Sequence, residues 1–266
     1  MPLANTGTKV YQLRKIEYLS PASEVSMGEK WFEIASMDHF WIQRRFEVFQ
    51  SLCGELITGR GELAEIGCGH GLLQRQIEIQ YGRAVTGFDL NEFALKRNLS
   101  LESTAYCYDI FQRNPDLKEK FEVIFLFDVL EHISDEDRFL DALLFHLAPQ
   151  GKLILNVPAG QWAYSDYDVA VGHVRRYTIA DLRTLALRNR LELADWTYWG
   201  LPLAPALMIR KLWPMRKRDH IKTITTGFDP GAKWINSFLK VLCHFEWIPQ
   251  KLLGTSLMAV LRRGIR

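Results

Sequence analysis

The stretch Ala64-Glu65-Ile66-Gly67-Cys68-Gly69-His70-Gly71 decides how the rest of the chain is read. Ahead of it, residues 62–66 have the short apolar make-up of a strand. Behind it, residues 71–81 have the pattern of a helix stopped by Gly82. A strand that passes into a helix through alternate glycines needs a sharp backbone turn, and glycine makes one without a Cβ clash. At the carboxyl end of a parallel strand, such a turn opens a crevice for a nucleotide-like ligand.

Working outward, residues 84–88 read as a second strand, 92–99 as a second helix and 105–108 as a short third strand. Residues 122–127 form a nearly continuous apolar run, expected of a strand buried on both faces of a parallel sheet. A helix over 137–147 is ended by Pro149 and a Gln150-Gly151 turn, and a strand over 152–157 follows. This alternation predicts an α/β fold with an open, doubly wound sheet. A polar and aromatic loop then runs from Pro158 to Tyr177, before Thr178 and Asp181 form a capping box opening a helix over 179–188. After a strand over 191–198, an insertion reaches residue 253 with two helices. One covers 205–213, and the other has Asp229 as cap and Pro230 at its first position. An apolar strand over 256–261 closes the chain. Near the start, Ser26 and Glu29 suggest another capping box, opening an aromatic-rich helix over 30–52. Its apolar residues exceed one stripe, so it should be covered on more than one side or cover something itself.

The segment Glu65-Ile-Gly-Cys-Gly-His-Gly71 resembles motif I of class I S-adenosylmethionine-dependent methyltransferases, an acid followed by GxGxG. The resemblance runs over residues 61–198 and resumes with the final strand. It implies a Rossmann-like fold, with a mostly parallel seven-stranded sheet whose last strand is antiparallel. Residues 61–198 and 254–266 would form the cofactor core, 1–60 an N-terminal helical cap, and 199–253 a helical insertion completing the cap. The implied cofactor is S-adenosylmethionine. Glu65, Gly67, Cys68, Gly69 and Gly71 would wrap its methionine and ribose part, and Asp89, beside Leu90, would hold the ribose hydroxyls. Asp109 would meet the adenine amino group, with Ile110 packed on the purine. Phe127-Asp-Val-Leu-Glu-His-Ile133 resembles the family's fourth-strand signature. It would put Phe127 and Asp128 in the cofactor pocket and Glu131 and His132 toward the substrate cleft. A nicotinamide-binding loop is normally GxGxxG and would offer a pyrophosphate nest that this spacing lacks.

The second informative stretch, residues 163–178, follows the fifth strand and ends Gly172-His-Val-Arg-Arg-Tyr-Thr178. That ending resembles a loop of a bacterial methyltransferase subgroup. Histidine as a residue type can titrate near neutrality, which makes His173 and His132 the candidate bases, with Asp166 as a third catalytic candidate. Trp31, His39, Trp41, Asp168, Arg176, Tyr177 and Trp199 are the candidate substrate contacts. Bland roles stand beside these: a surface salt bridge for Arg175, a loop-closing bond for Asp166, and core packing for Tyr177 or any one tryptophan. Asp166, Asp168 and His173 have metal-binding types but would need a further ligand, so no metal is assigned.

With 266 residues, the chain suits one large α/β domain with additions. A net charge of +2 gives no reason to expect a nucleic-acid partner, and no Asn-Pro-Pro-Tyr element follows the fourth strand. Four scattered cysteines show no zinc spacing and are expected to be buried thiols. No signal peptide is evident, and the apolar run over 198–209 is too short to span a bilayer. A cytoplasmic protein is expected. That run lies beside Arg210, Lys211 and the basic Arg216-Lys-Arg218, leaving open a substrate cap, a homodimer surface or peripheral membrane contact. The expected activity is methyl transfer to a small or amphiphilic acceptor, at oxygen ahead of nitrogen or carbon. The alternatives are N- or C-methylation of a small molecule, or a non-catalytic partner protein on the same fold.

Overall fold

The computed structural model describes residues 16–23, 29–212 and 230–264. In chain order these form β1 (Glu17–Tyr18), α1 (Glu29–Ile34), α2 (Phe40–Cys53), β2 (Leu63–Ile66), α3 (Leu72–Tyr81), β3 (Thr86–Asp89), α4 (Glu92–Leu95) and β4 (Ala105–Cys107). There follow β5 (Phe121–Phe127), α5 (Glu136–His146), β6 (Leu147–Pro158), α6 (Asp166–Val171), α7 (Ile179–Arg188), β7 (Leu191–Trp199) and α8 (Ala204–Leu212). The last two are Lys233–His244, here α9, and β8 (Ser256–Arg263).

The strands form one sheet in the order β1-β4-β3-β2-β5-β6-β8-β7. Every pairing is parallel except those that β8 makes with β6 and β7. The antiparallel last strand is as expected. The eighth strand is the short β1, added at the edge beside β4; two residues of strand leave no readable alternation. The order of successive strands reverses between the parallel neighbours β2 and β5, so a crevice opens there at their carboxyl ends.

β5 shows why the sheet is a filled sandwich. Ile124 and Leu126 join the cluster on one face with Leu140, Leu143 and Leu182 of α5 and α7. Val123, Phe125 and Phe127 join the other with Phe46 and Phe49 of α2 and Ile77 of α3. Alternate side chains point to opposite faces, so a strand covered on both must be apolar throughout. The aromatic surplus of α2 is thereby accounted for, since it forms a layer of the core.

Several local expectations are corrected. The helix over 30–52 is two helices, interrupted before His39, whose backbone is extended and whose Nδ1 accepts the Trp41 N–H at 3.2 Å. Ser26 and Asp229, expected as caps, lie outside the described residues, as do Trp213 and Arg216–Arg218. α9 starts at Lys233, three residues beyond Pro230. The Pro149–Gly151 turn sits inside β6, where the ladder jumps from Phe121↔Leu147 to Val123↔Lys152. The loop ahead of Tyr177 contains α6, opened by a Ser165–Asp168 capping box that the dense run of polar and aromatic residues obscured. The capping box at Thr178 and Asp181 is present as read.

Phe49 is fully buried, with its ring centroid 5.5 Å from that of Phe125. Phe49→Ala should lower the unfolding free energy by about 3–5 kcal/mol in urea titrations, with little change in the slope.

Candidate active site

The glycine loop joins β2 to α3 at the sheet's switch point. Gly67 and Gly69 have φ of +76° and +54°, and the loop is closed by their N–H groups. Gly67 donates to Phe88 O at 2.8 Å, and Gly69 donates to Asp89 Oδ2 at 2.7 Å. Space is as tight as the dihedrals: a Cβ on Gly67 would lie 2.3 Å from Val129 Cγ2, and one on Gly69 would lie 3.1 Å from the Phe32 ring. α1 folds over this loop. The Phe32 and His70 rings meet edge-on at 5.4 Å, and His70 Nε2 lies 3.1 Å from Ala35 O.

Beneath α1 lies a cavity of about 400 Å³. It is lined by Glu65, Gly67, Cys68, Gly69, Asp89, Leu90, Asp109, Ile110, Phe127 and Asp128, all expected there from sequence. Gly71 is the exception. It opens α3 behind the cavity, and its missing side chain leaves room for Asn98. Glu65 is buried, and its Oε2 has no hydrogen-bond partner among the described residues. Burial pushes its carboxyl up to about 8, against the pull of Arg45. Asp89 also accepts the Asn91 N–H at 2.8 Å, and burial raises its pKa despite these bonds. Asp109 caps the next turn through Phe111 N–H at 3.0 Å, while its own N–H donates to Ser20 Oγ at 2.7 Å. An acid pair, a tight glycine cradle and a buried carboxylate with one oxygen unpartnered among the described residues fit a ligand with vicinal hydroxyls and positive charge.

A second cavity, of about 260 Å³, adjoins the first and shares Trp31 and Asp128 with it. Its walls are largely apolar, from Phe40, Trp41, Tyr167, Leu203, Leu207 and Leu239, while Glu131, His173 and Arg176 supply polar groups. Asp128 has φ +58°, a left-handed conformation uncommon for a non-glycine residue. Its Oδ2 pairs with Arg45 of α2, and its Oδ1 accepts from Asn156 Nδ2 at 2.7 Å. Burial raises its pKa while Arg45 works the other way.

His173 is held by Asp168, with Nδ1 2.9 Å from Asp168 Oδ1. Arg176 Nε donates to the same oxygen at 2.8 Å, and the Ser165 N–H donates to Oδ2 at 2.9 Å. Burial opposes ionisation of Asp168, yet these partners hold it down at about 2. An ionised Asp168 can only accept, so Nδ1 donates and Nε2 is the lone-pair nitrogen of the neutral ring. Glu131 Oε1 lies 3.8 Å from that Nε2, and burial, with Asp128 adding to it, raises Glu131 well above the usual carboxylate range. The His132 ring stands edge-on to His173 at 4.9 Å. Burial, with His173 nearby, lowers His132 to about 4. Ligand atoms of Glu131, His132 and His173 all lie within 4.8 Å of one another, a grouping able to hold a metal ion.

A family model described as a methyltransferase domain matches residues 17–225. The chain belongs to this family. Among curated relatives, a ubiquinone biosynthesis O-methyltransferase of Bartonella bacilliformis is 28% identical over 169 residues, 60% of this chain and 53% of that one. The chain thus spans about half the length of the curated relatives it matches. A methyltransferase structure from Archaeoglobus fulgidus superposes with TM-score 0.55 and 14% identity, covering 86% of this chain and 95% of that one. The [4+2]-cyclase SpnF superposes with TM-score 0.52 and 16% identity, covering 85% and 81% respectively. At such identities the shared feature is the fold. S-adenosylmethionine is the cofactor that goes with this methyltransferase family, and the first cavity fits it.

Of the other residues singled out from sequence, Trp31, Trp41, Arg176 and His173 line the second cavity, and His132 lines the first. Asp166 lines neither. It is exposed in the first turn of α6, and the acid that closes that loop is Asp168. Asp168 stands behind His173 and Arg176, away from the cavity wall. His39 caps α2. Tyr177 is core, its hydroxyl donating to Glu136 Oε1 at 2.7 Å. Trp199 is fully buried and donates to Asn156 Oδ1 at 2.9 Å, reaching the site only through Asn156 and Asp128. Sequence reasoning did not assign Arg45 or Phe32 to the first cavity, or Leu239 to the second, whereas Glu131, expected toward the substrate cleft, does line the second. The one signal for the three missed residues was position on the aromatic helices.

The folded methyltransferase ionises Asp168 near 2, against 3.8 for an ordinary aspartate. The resulting stabilisation, on the order of 2 kcal/mol, is complete above about pH 4 and is lost as pH falls toward 2. Asp168→Asn should remove about 2 kcal/mol at pH 7 and flatten that acid limb, read by urea titration across pH.

Proposed function

We propose that the protein transfers the methyl group of S-adenosylmethionine to a hydroxyl oxygen of a small amphiphilic molecule held in the second cavity. The observation that carries this reading is the placing of His173. An oriented imidazole lines a largely apolar chamber that shares Trp31 and Asp128 with the cofactor chamber. The O-methyltransferase relative supports oxygen as the acceptor atom. The apolar walls support an acceptor with an oily body and a polar end.

In this reading, Asp89 would hold the ribose hydroxyls, the glycine loop and Glu65 the methionine part, and Asp109 and Ile110 the adenine. Glu65 suits a cationic ligand, because positive charge favours the ionised form that burial disfavours. The cofactor supplies an activated methyl group on a sulfonium. His173 Nε2 would take the acceptor's hydroxyl proton, leaving the oxygen able to receive that methyl group. Asp168 steadies the resulting imidazolium, and Arg176 keeps Asp168 ionised. Arg45 and Asn156 fix Asp128 at the boundary of the two chambers. The core at 61–198 and 254–266, the cap segments at 1–60 and 199–253 and a cytoplasmic setting belong to this proposal. Four free, buried thiols are in keeping with that setting.

A second reading is carried by the clustering of Glu131, His132 and His173. A divalent ion there would lower the acceptor hydroxyl's pKa directly, with His173 as a ligand instead of a base.

Incubation with methyl-labelled cofactor and a lipid extract of the source cells should label a small, extractable product bearing a methoxy group. Label recovered in protein or nucleic acid would overturn the acceptor class. Asp89→Ala should weaken cofactor affinity about 10–100-fold by calorimetry, and unchanged affinity would refute the ribose role. His173→Ala should slow labelling about 10²–10⁴-fold with cofactor affinity nearly intact. Equal rates would return His173 to a structural role. Loss of parent activity in EDTA, restored by magnesium, would select the metal reading.

A further inference from the structure

α9 carries two apolar faces. The inner one is spoken for. Leu239 and Cys243 pack with Phe40 and Leu203, and Asn236 is tied to the start of α2. Asn236 accepts the Phe40 N–H at 2.8 Å and donates to Asp38 O at 2.9 Å. The outer face bears Trp234, Phe238, Val241 and, at the C-cap, Phe245. At 100° per residue these four fall within an arc of about 60°, opposite Leu239 and Cys243. All are exposed, Trp234 at 72% and Phe245 at 83%, and Trp247 follows at 84%. Scattered exposed hydrophobics are ordinary, but an aromatic stripe fixed outward by a hydrogen-bonded inner face is not.

Charge indicates what covers it. Of the chain's 33 Lys and Arg and 31 Asp and Glu, residues 201–253 hold nine and three, leaving the remainder acidic. Of those three acids, Glu246 is turned inward. It accepts the N–H groups of Gly200 and Leu201, each at 2.8 Å, and lies 3.7 Å from Arg44. Lys233 is exposed at the start of α9, Lys240 is half-buried about 100° around the helix from Val241, and Lys211 is exposed on α8. Aromatic residues on one face with lysines beside them match the interface of an anionic bilayer, where rings insert among acyl chains and ammonium groups meet headgroups. No helix among the described residues is long and apolar enough to cross a membrane, so contact through α9 would lie along the surface.

We propose that the outer face of α9 docks the protein on an anionic phospholipid surface. The inner faces of α8 and α9 give Leu207 and Leu239 to the wall of the second cavity. The same two helices therefore stand between lipid and the chamber assigned to the acceptor, and an amphiphilic acceptor has a short path from bilayer to His173. This last step rests on the function proposed above; the docking itself does not.

The test is co-sedimentation of the full chain with vesicles, beside calorimetry with S-adenosylmethionine. The parent should pellet with equimolar phosphatidylcholine and phosphatidylglycerol, and about tenfold more weakly with phosphatidylcholine alone or in high salt. Phe238→Ser with Phe245→Ser lies outside both cavities, so it should keep cofactor affinity while losing vesicle binding about tenfold or more. Failure of the parent to pellet with anionic vesicles would overturn the proposal, as would equal pelleting by parent and double variant. A parent dimer that the double variant dissociates, with no vesicle binding by either, would assign the stripe to a second copy of the chain. Vesicle binding without cofactor binding would leave the docking standing and remove the methyltransferase reading.

Discussion

The ion pair between Arg45 and Asp128 is the constraint on which the site depends. Asp128 ends the central strand with a left-handed backbone that a free aspartate seldom adopts. It persists because one carboxylate oxygen is held by Arg45 from α2 and the other by Asn156 from β6. Asn156 in turn receives the indole N–H of Trp199. Four parts of the chain, far apart in sequence, thus converge on one carboxylate that borders both cavities. Neither charge is well solvated, so loss of one partner would leave the other buried without compensation. The guanidinium also lies 5.1 Å from the ring centroids of both Trp41 and Phe127, which closes the layer between α2 and the sheet.

The two chambers are built on different principles. The first chamber is backbone-rich, with glycines at positive φ, N–H groups donating to Asp89, and one Glu65 oxygen without a partner among the described residues. Such a surface can approach a polar ligand closely. The second chamber is side-chain-rich, with tryptophan, phenylalanine and leucine walls around His173, Glu131 and Arg176. Asp168 gives that chamber its chemical direction. Held ionised by donors from three residues, it fixes which nitrogen of His173 carries the proton. Of the helices that wall this chamber, α9 also has an apolar outer surface, and the segment that holds it is basic.

Much of this was legible in sequence where the signal is local. The glycine turn, the acids at the ends of β3 and β4, and the uniform apolarity of β5 each follow from backbone geometry or strand burial within a few residues. Ten of the eleven residues expected to meet the cofactor line the first cavity, and the exception, Gly71, serves packing against Asn98. The acceptor side was less legible because its residues share types with ordinary core. Tyr177 and Trp199 have the chemistry of pocket residues, yet each hydroxyl or indole proton is spent on an internal partner. Asp166 and Asp168 are two residues apart, and only the turn of α6 puts one in solvent and the other behind His173.

The sequence by itself determined the doubly wound sheet, the position of its ligand crevice and the donor chemistry suited to that crevice. These follow from periods and turns that span a handful of residues. Only the tertiary structure decided that α2 is a core layer supplying Arg45, that His173 is oriented by Asp168, and that one face of α9 is left uncovered by the described residues. Those facts depend on which distant segments share a surface. Hydrophobic pattern along a chain shows that a face is apolar, but not whether the fold brings a partner to cover it.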